Sequence, residues 1–160
     1  MDPVILSVSL MKNLVSLPSH ELHRYLGARL VSESKVEFCV WSPTVDCVHI
    51  YLEDREGEEP LALEKNDGGF HVGTMKGVGV GTRYYCSFDG GPLRPDPASR
   101  YQPAGVHGPS QVVTREFAWT DSDWQGVPRD SLVIYELHIG AFTEAGTFLA
   151  AAGKLDELID

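Results

Sequence analysis

From Leu26 onward, apolar residues recur with a period of two in short runs separated by turn residues. A strand points successive side chains to opposite faces, so runs of this kind describe antiparallel sheet. The clearest lies in "SKVEFCVWSPTVDCVHIYLED", where Val36, Phe38 and Val40 share one face and Val48, Ile50 and Leu52 another. With Ser42, Pro43 and Thr44 as the turn and Trp41 opposite Val45, the expected hairpin pairs Phe38 with Val48 and Val36 with Ile50. The same register sets Cys39 opposite Cys47. "REGEEPLALEKNDGGFHVGTMKG" adds two shorter strands around the turn "NDGG", and "GVGVGTRYYCSFDGG" one in which Tyr84, Cys86 and Phe88 alternate with Tyr85 and Ser87. Such a set makes a small β-sandwich. Gly77, Gly79 and Gly81 do not form a phosphate loop, because neither a helix start nor a lysine follows.

The stretch "RPDPASRYQPAGVHGPSQV", residues 94–112, behaves differently. Pro95, Pro97, Pro103 and Pro109 with Gly105 and Gly108 rule out an ordinary helix or strand. A disordered linker would not need Tyr101, Val106, His107 and Val112 among them. The expectation is a fixed connector with Tyr101, Val106 and Val112 as anchors and with Arg100, Gln102 and His107 bonded to backbone or to a barrel outside this chain, a direct substrate role being the alternative. Beyond it, "SLVIYELHIGAF" reads as a strand buried on both faces. "TFLAAAGKLDELID" reads as a helix with Thr147 as N-cap and Phe148, Ala151, Leu155, Leu158 and Ile159 along one side. Strand and helix form one βα unit, which cannot bury itself alone. At the other end, residues 1–24 are a leader of no assigned function, with a short helix around "SHELHRYL" capped by Ser19.

Length and charge narrow the function. The 160 residues suffice for one domain, or a small domain and part of another. A whole (β/α)8 barrel takes about 250 residues. A net charge of -10, from 13 Lys and Arg against 23 Asp and Glu, disfavours nucleic acid and anionic membrane and leaves a neutral ligand such as a sugar open. Asp2 and Lys12 fit neither a signal peptide nor a membrane span. Cys39, Cys47 and Cys86 show no CxxC spacing, so they read as small buried hydrophobes of a reducing cytoplasm. His20, His23, His49, His71, His107 and His138 are too scattered for a metal site, and no GxSxG elbow is present. No cofactor is expected, and nothing sets an oligomeric state.

Glu136 and His138 share a strand face and would suit acid and base, although a structural role inside a barrel suits them better. If that strand opens a barrel, its end faces the substrate, which makes His138, Gly140, Phe142 and Thr143 substrate-side candidates. Trp41, Trp119 and Trp124 could stack on sugar rings, with packing inside or between domains the favoured alternative.

Together, "PDPASRYQPAGVHGPSQVV", "FAWTDSDWQG" and "LVIYELHIGAFTEAGTFLAAAGKLDEL", in that order and spacing, resemble the N-terminal part of the malto-oligosyltrehalose trehalohydrolase family of the α-amylase superfamily. The likeness runs from about Tyr25, through "LGARLV", to the end. It implies an immunoglobulin-like (E-set) sandwich over 25–93, an extended connector over 94–130 with Asp96, Pro97, Arg100, Gln102, His107 and Gly108 as its signature, and the first βα unit of a truncated barrel over 131–160. It also implies hydrolysis of the α-1,4 bond next to the terminal trehalose unit of a maltooligosyltrehalose, by two carboxylates about 5 to 5.5 Å apart. The family draws those from later barrel strands, so no catalytic residue is expected in this chain. Sister branching and debranching enzymes share much of the pattern, but "GVHGPS" is associated with the trehalohydrolases. A free-standing α-glucan-binding module is the remaining reading.

Overall fold

The computed structural model describes residues 14–158. It divides into two compact units, Met1–Glu116 and Phe117–Asp160.

The first unit is mainly β, with β1 Gly27–Ser32, β2 Lys35–Trp41, β3 Val48–Leu52, β4 Leu61–Lys65, β5 Phe70–Lys76, β6 Arg83–Phe88 and β7 Ser110–Gln111. All neighbours are antiparallel, in the order β1-β2-β5-β4-β3-β6-β7. Phe38 of β2 and Tyr84 of β6 meet edge to face at 5.0 Å although three strands separate theirs in that order, so the sheet curls over its own core. Val36, Phe38, Val40, Val48, Ile50 and Tyr84 fill that core.

The inward faces are those the alternation marks, but the expected hairpin does not form. β2 pairs with β1 and β5, and β3 with β4 and β6. Phe38 and Val48 still share the core, and Cys39 packs in a different cluster. Alternation fixes which face of a strand is buried, not which strand lies beside it. Residues 42–47 cross between the two halves of the sheet, held by Ser42 N–H to Gly69 O at 2.9 Å and by Asp46 and Cys47 N–H to Asp89 Oδ1. The turn "NDGG" does join β4 to β5. Asn66 Oδ1 accepts from Gly68 and Phe70 N–H, and Gly69 takes a φ of 75°.

On the opposite face of β2 and β5, Leu14, Leu17 and Leu22 are buried against Cys39, Phe70 and Val72. Leu14 comes from a 3-10 turn, Leu14–Ser16, Leu17 from the bend after it, and Leu22 from the helix α1, Ser19–Leu22. Ser19 is the first helical residue and not the cap; Pro18 holds the cap position and bonds nothing with its side chain. The alternating run "VILSVSL" falls outside the described residues.

Residues 94–112 belong to the same body. Arg94 and Cys86 exchange both backbone bonds, and Ser110–Gln111 pairs with Arg83 and Tyr84. The expectation of no strand there fails at Ser110, because an edge position just after Pro109 leaves the ladder's donors available. Val112 is fully buried and anchors as expected; Tyr101 and Val106 are exposed at 50% and 73%, and it is their carbonyls that hold the loop, accepting from Gln111 N–H and Gln102 Nε2.

The second unit contains a 3-10 turn, Arg129–Ser131, the helices α2, Ile139–Phe142, and α3, Phe148–Ala152, and a last 3-10 turn, Leu155–Leu158. The strand expected over 131–142 is absent: residues 132–138 join no ladder among the described residues, and Ile139–Phe142 is helical. A parallel strand exists only through its neighbours, and none lies beside this segment. Thr147 does cap α3, its Oγ1 accepting from Ala150 N–H at 3.2 Å. The helix ends at Ala152. Of its expected apolar side Ala151 is buried, Phe148, Leu155 and Leu158 are exposed, and Ile159 falls outside the described residues.

Candidate functional site

Tyr84 points into the core because β6 alternates, and its hydroxyl needs an acceptor there. Asp96 supplies it: Tyr84 Oη donates to Asp96 Oδ2 at 2.7 Å. Ala98 N–H donates to Asp96 Oδ1 at 2.8 Å, and the backbone N–H of Asp96 donates to Ser110 Oγ at 2.9 Å. The carboxyl is 3% exposed. Burial pushes its pKa above the ordinary aspartate value, against the Tyr84 hydroxyl, the Ala98 N–H and the charge of Arg100, which hold it down. Burial first and the Asp96 charge second raise Tyr84 far above the usual phenol range. With the phenol held protonated and the carboxyl engaged on both oxygens, the pair serves as a clamp.

Arg100 extends the clamp across the sheet. Its guanidinium donates to Leu26 O at 2.7 Å and Ala28 O at 2.9 Å. Gly27 lies between those carbonyls with a φ of 89°, and a Cβ there would come within 2.8 Å of Ala98 O, so only glycine fits. Gln102 binds its own loop through Val106 O at 3.0 Å. Pro97 lines a cleft of about 130 Å³ with Asp96, Ala98, Leu26, Val40 and Trp41. At Gly108 a Cβ would strike Ala104, and His107 is exposed. Asp96, Arg100 and Gln102 therefore fasten one loop, whose tight turn Gly108 permits.

In the second unit, His138, Gly140, Phe142 and Thr143 fall within one local turn. His138 O accepts from Ala141 and Phe142 N–H at 2.9 Å, and Thr143 Oγ1 from Gly146 N–H at 3.2 Å. Glu136 and His138 are exposed. Trp41, Trp119 and Trp124 are 55%, 74% and 69% exposed, so none packs in a core. Among the described residues no group of His, Cys, Asp or Glu could hold a metal, and no helix is long and apolar enough to cross a membrane.

Two features have no forerunner in the sequence pattern. His71 is fully buried, with Nε2 3.1 Å from Ser42 O and Nδ1 without a partner. Burial, and secondarily Lys65, lowers its pKa, against the Ser42 carbonyl and Asp89. The second is a groove of about 870 Å³ where β3 outruns β4. That ladder stops at Ile50↔Leu61, while Tyr51 and Leu52 pair only with Tyr85 and Tyr84 of β6. Residues 53–60 loop out over the gap, which exposes the partly buried Leu52, Leu61 and Met75. The thiols of Cys39 and Cys86 take no part in any site: burial pushes Cys39 up to about 12 and Cys86 higher still, so both stay protonated and inert.

No family model matches the chain. It is 42% identical over 128 residues to a malto-oligosyltrehalose trehalohydrolase of Saccharolobus solfataricus, covering 80% of this chain and 22% of that protein. It is 38% identical over 141 residues to the Deinococcus radiodurans protein of the same name, covering 87% of this chain and 22% of the relative. Among solved structures, one from Salmonella typhimurium assigned to the alpha amylases superposes with a TM-score of 0.69 at 34% identity, covering 83% of this chain and 22% of that one. The chain thus spans about a fifth of the length of these relatives.

Proposed function

We propose that this chain, whose sequence resembles the N-terminal part of the malto-oligosyltrehalose trehalohydrolases, is the non-catalytic front portion of such an enzyme. The enzyme's reaction would be hydrolysis of the α-1,4 bond beside the terminal trehalose unit of a maltooligosyltrehalose, in the cytoplasm. Two carboxylates outside this chain would act as nucleophile and acid/base in a retaining mechanism. Residues 25–93 would form an immunoglobulin-like sandwich and 94–130 the connector. Residues 131–160 would give the first βα unit of the barrel, whose strand 132–138 would form once a neighbouring parallel strand supplies its ladder. His138, Gly140, Phe142 and Thr143 would then stand near the barrel mouth.

The observation that carries this reading is the 42% identity over 128 residues. A span of 128 residues is longer than the first unit, Met1–Glu116. Branching enzymes are the competitor, and a chimera separates the two. Residues 25–158 replace the matched part of the Deinococcus radiodurans relative, and trehalose release from maltooligosyltrehalose is measured. Release within about threefold of the parent's supports the reading, since a threefold change is under 1 kcal/mol. A folded chimera that releases no trehalose overturns it. The chain by itself should release none.

A further inference from the structure

We propose that residues 42–47, which cross between the two halves of the sheet, form an acid-released latch: proton uptake by His71 frees them while the ladders on either side stay paired. Three side chains hold the crossover in place. His71 Nε2 meets Ser42 O at 3.1 Å. Lys65 Nζ donates to Val45 O at 2.6 Å and lies 3.8 Å from Asp46 Oδ1. Asp89 Oδ1 accepts from Asp46 N–H at 2.8 Å and Cys47 N–H at 2.9 Å. The Cys47 N–H above all, with the Asp46 N–H, the Cys47 thiol and the charge of Lys65, holds Asp89 below the ordinary carboxylate range, so it stays an anion near neutrality.

Charge enters this arrangement at His71, which is fully buried. The ladders set Val40 of β2 and Lys65 of β4 opposite it. A carbonyl can only accept, so the bond to Ser42 O puts the ring proton on Nε2 and leaves Nδ1 a bare acceptor with no partner. A second proton would enter at Nδ1, find no acceptor there, and create a buried cation beside the Lys65 ammonium. β2 offers no charge at the facing position, and the Asp46 side chain is fully exposed. Asp89 is the anion that favours the proton, and its Oδ1 is already shared by the two crossover amides. Either the imidazolium draws Asp89 off those amides, or the ring leaves Ser42 O. Both unfasten the same segment.

The direction of the switch follows from burial, which, helped by Lys65 and opposed by Ser42 O and Asp89, lowers the pKa of His71 from 6.5 in the closed form. Opening returns the ring to water and to its ordinary value. Each pH unit below 6.5 therefore favours the open form by up to about tenfold until the lowered value is reached, and above 6.5 the latch stays shut. The segment can open by itself because it joins no ladder and Pro43, Thr44 and Asp46 are already exposed. Val45 is its apolar contact with the core. Cys47, within the segment, is half-buried, whereas Cys39 and Cys86 are buried in β2 and β6.

The experiment uses the 160-residue chain. Amide exchange at Ser42, Asp46 and Cys47, each rate compared with that of an unstructured peptide at the same pH, is followed from about pH 7.5 to 5. Thiols are labelled in parallel with a dipyridyl disulfide, which reacts even in acid. Protection at the three amides should fall about tenfold while β2 and β6 keep theirs, and Cys47 should label faster, relative to unfolded chain, with Cys39 and Cys86 still closed. His71→Gln keeps a donor for Ser42 O but cannot titrate, so its crossover should show no such pH dependence. Should that variant not fold, the wild-type ring decides: at pH 6.5 the folded signal of His71 must be neutral and protonated on Nε2. The proposal is overturned by crossover protection that does not change with pH, by all the thiols labelling together, by an undiminished dependence in His71→Gln, or by a ring already cationic at pH 6.5.

Discussion

Asp96 and Tyr84 offer the sharpest test of how residues 94–112 are held. Replacing Asp96 with alanine removes the acceptor of a hydroxyl whose residue is 1% exposed, and also the partner of Ala98 N–H. An orphaned buried donor costs about 1–3 kcal/mol, and a lost hydrogen bond at a partly open amide about 1 kcal/mol. Asp96→Ala should therefore destabilise the first unit by about 3 kcal/mol. Tyr84→Phe keeps the ring against Phe38 and loses only the hydroxyl, at about 1.5 kcal/mol. In the double variant nothing is left orphaned at that contact, so its cost should fall short of the sum by about 1–2 kcal/mol. Urea unfolding at neutral pH, read by far-ultraviolet circular dichroism, measures all four corners of the cycle, and a constant slope keeps the comparison valid. Additivity within about 0.3 kcal/mol would refute the reasoning. So would an Asp96→Ala variant within about 0.5 kcal/mol of the parent, as expected of a surface position.

Leu22, fully buried on the outer face of β2 and β5, should cost about 2–5 kcal/mol when replaced by alanine, read by the same unfolding assay. A leader with no structural part would show no change. His71 is held neutral by burial, its pKa below the ordinary value of 6.5, with Lys65 and Asp89 as its charged neighbours. The unfolded chain binds the proton more readily, so stability from this residue is complete above pH 6.5 and declines as pH falls toward the lowered value. A His71→Gln variant should lose less stability than the parent between about pH 7 and 5, in melting curves taken across that range.

Much of the first unit was legible because side-chain alternation is a local property. Val36, Phe38 and Val40 had to face one way, and they do. The turn at Asn66 and the cap at Thr147 were equally readable, since each bonds within a few residues of itself. Strand neighbours were not legible. β2 meets β5 across residues 42–69, and nothing in either run specifies the other. Tyr101 and Val106 misled because apolar type alone does not decide burial in a loop that lies on a surface. The clamp escaped because a lone aspartate in a proline-rich run resembles any turn aspartate until Tyr84 is seen beneath it. The groove follows from one ladder outrunning another, and ladder lengths are set by pairing. The strand expected over 131–142 needs neighbours that no local pattern can provide.

The bonds from Arg100 to Leu26 and Ala28 reach back 74 and 72 residues along the chain, while β7, in the same loop, closes onto β6. One stretch thus caps carbonyls beside β1 at one end of the sheet and, as β7, pairs with β6 at the other, two places where unpaired N–H and C=O groups would otherwise invite another molecule. Contacts spanning so much chain form late, because a long loop must close before they yield anything. During synthesis both edges therefore stay open until residue 112 has emerged and docked. The first unit's vulnerability to misassembly is then a matter of timing, and weakening Asp96 or Arg100 would lengthen that exposed interval even where the finished fold survives.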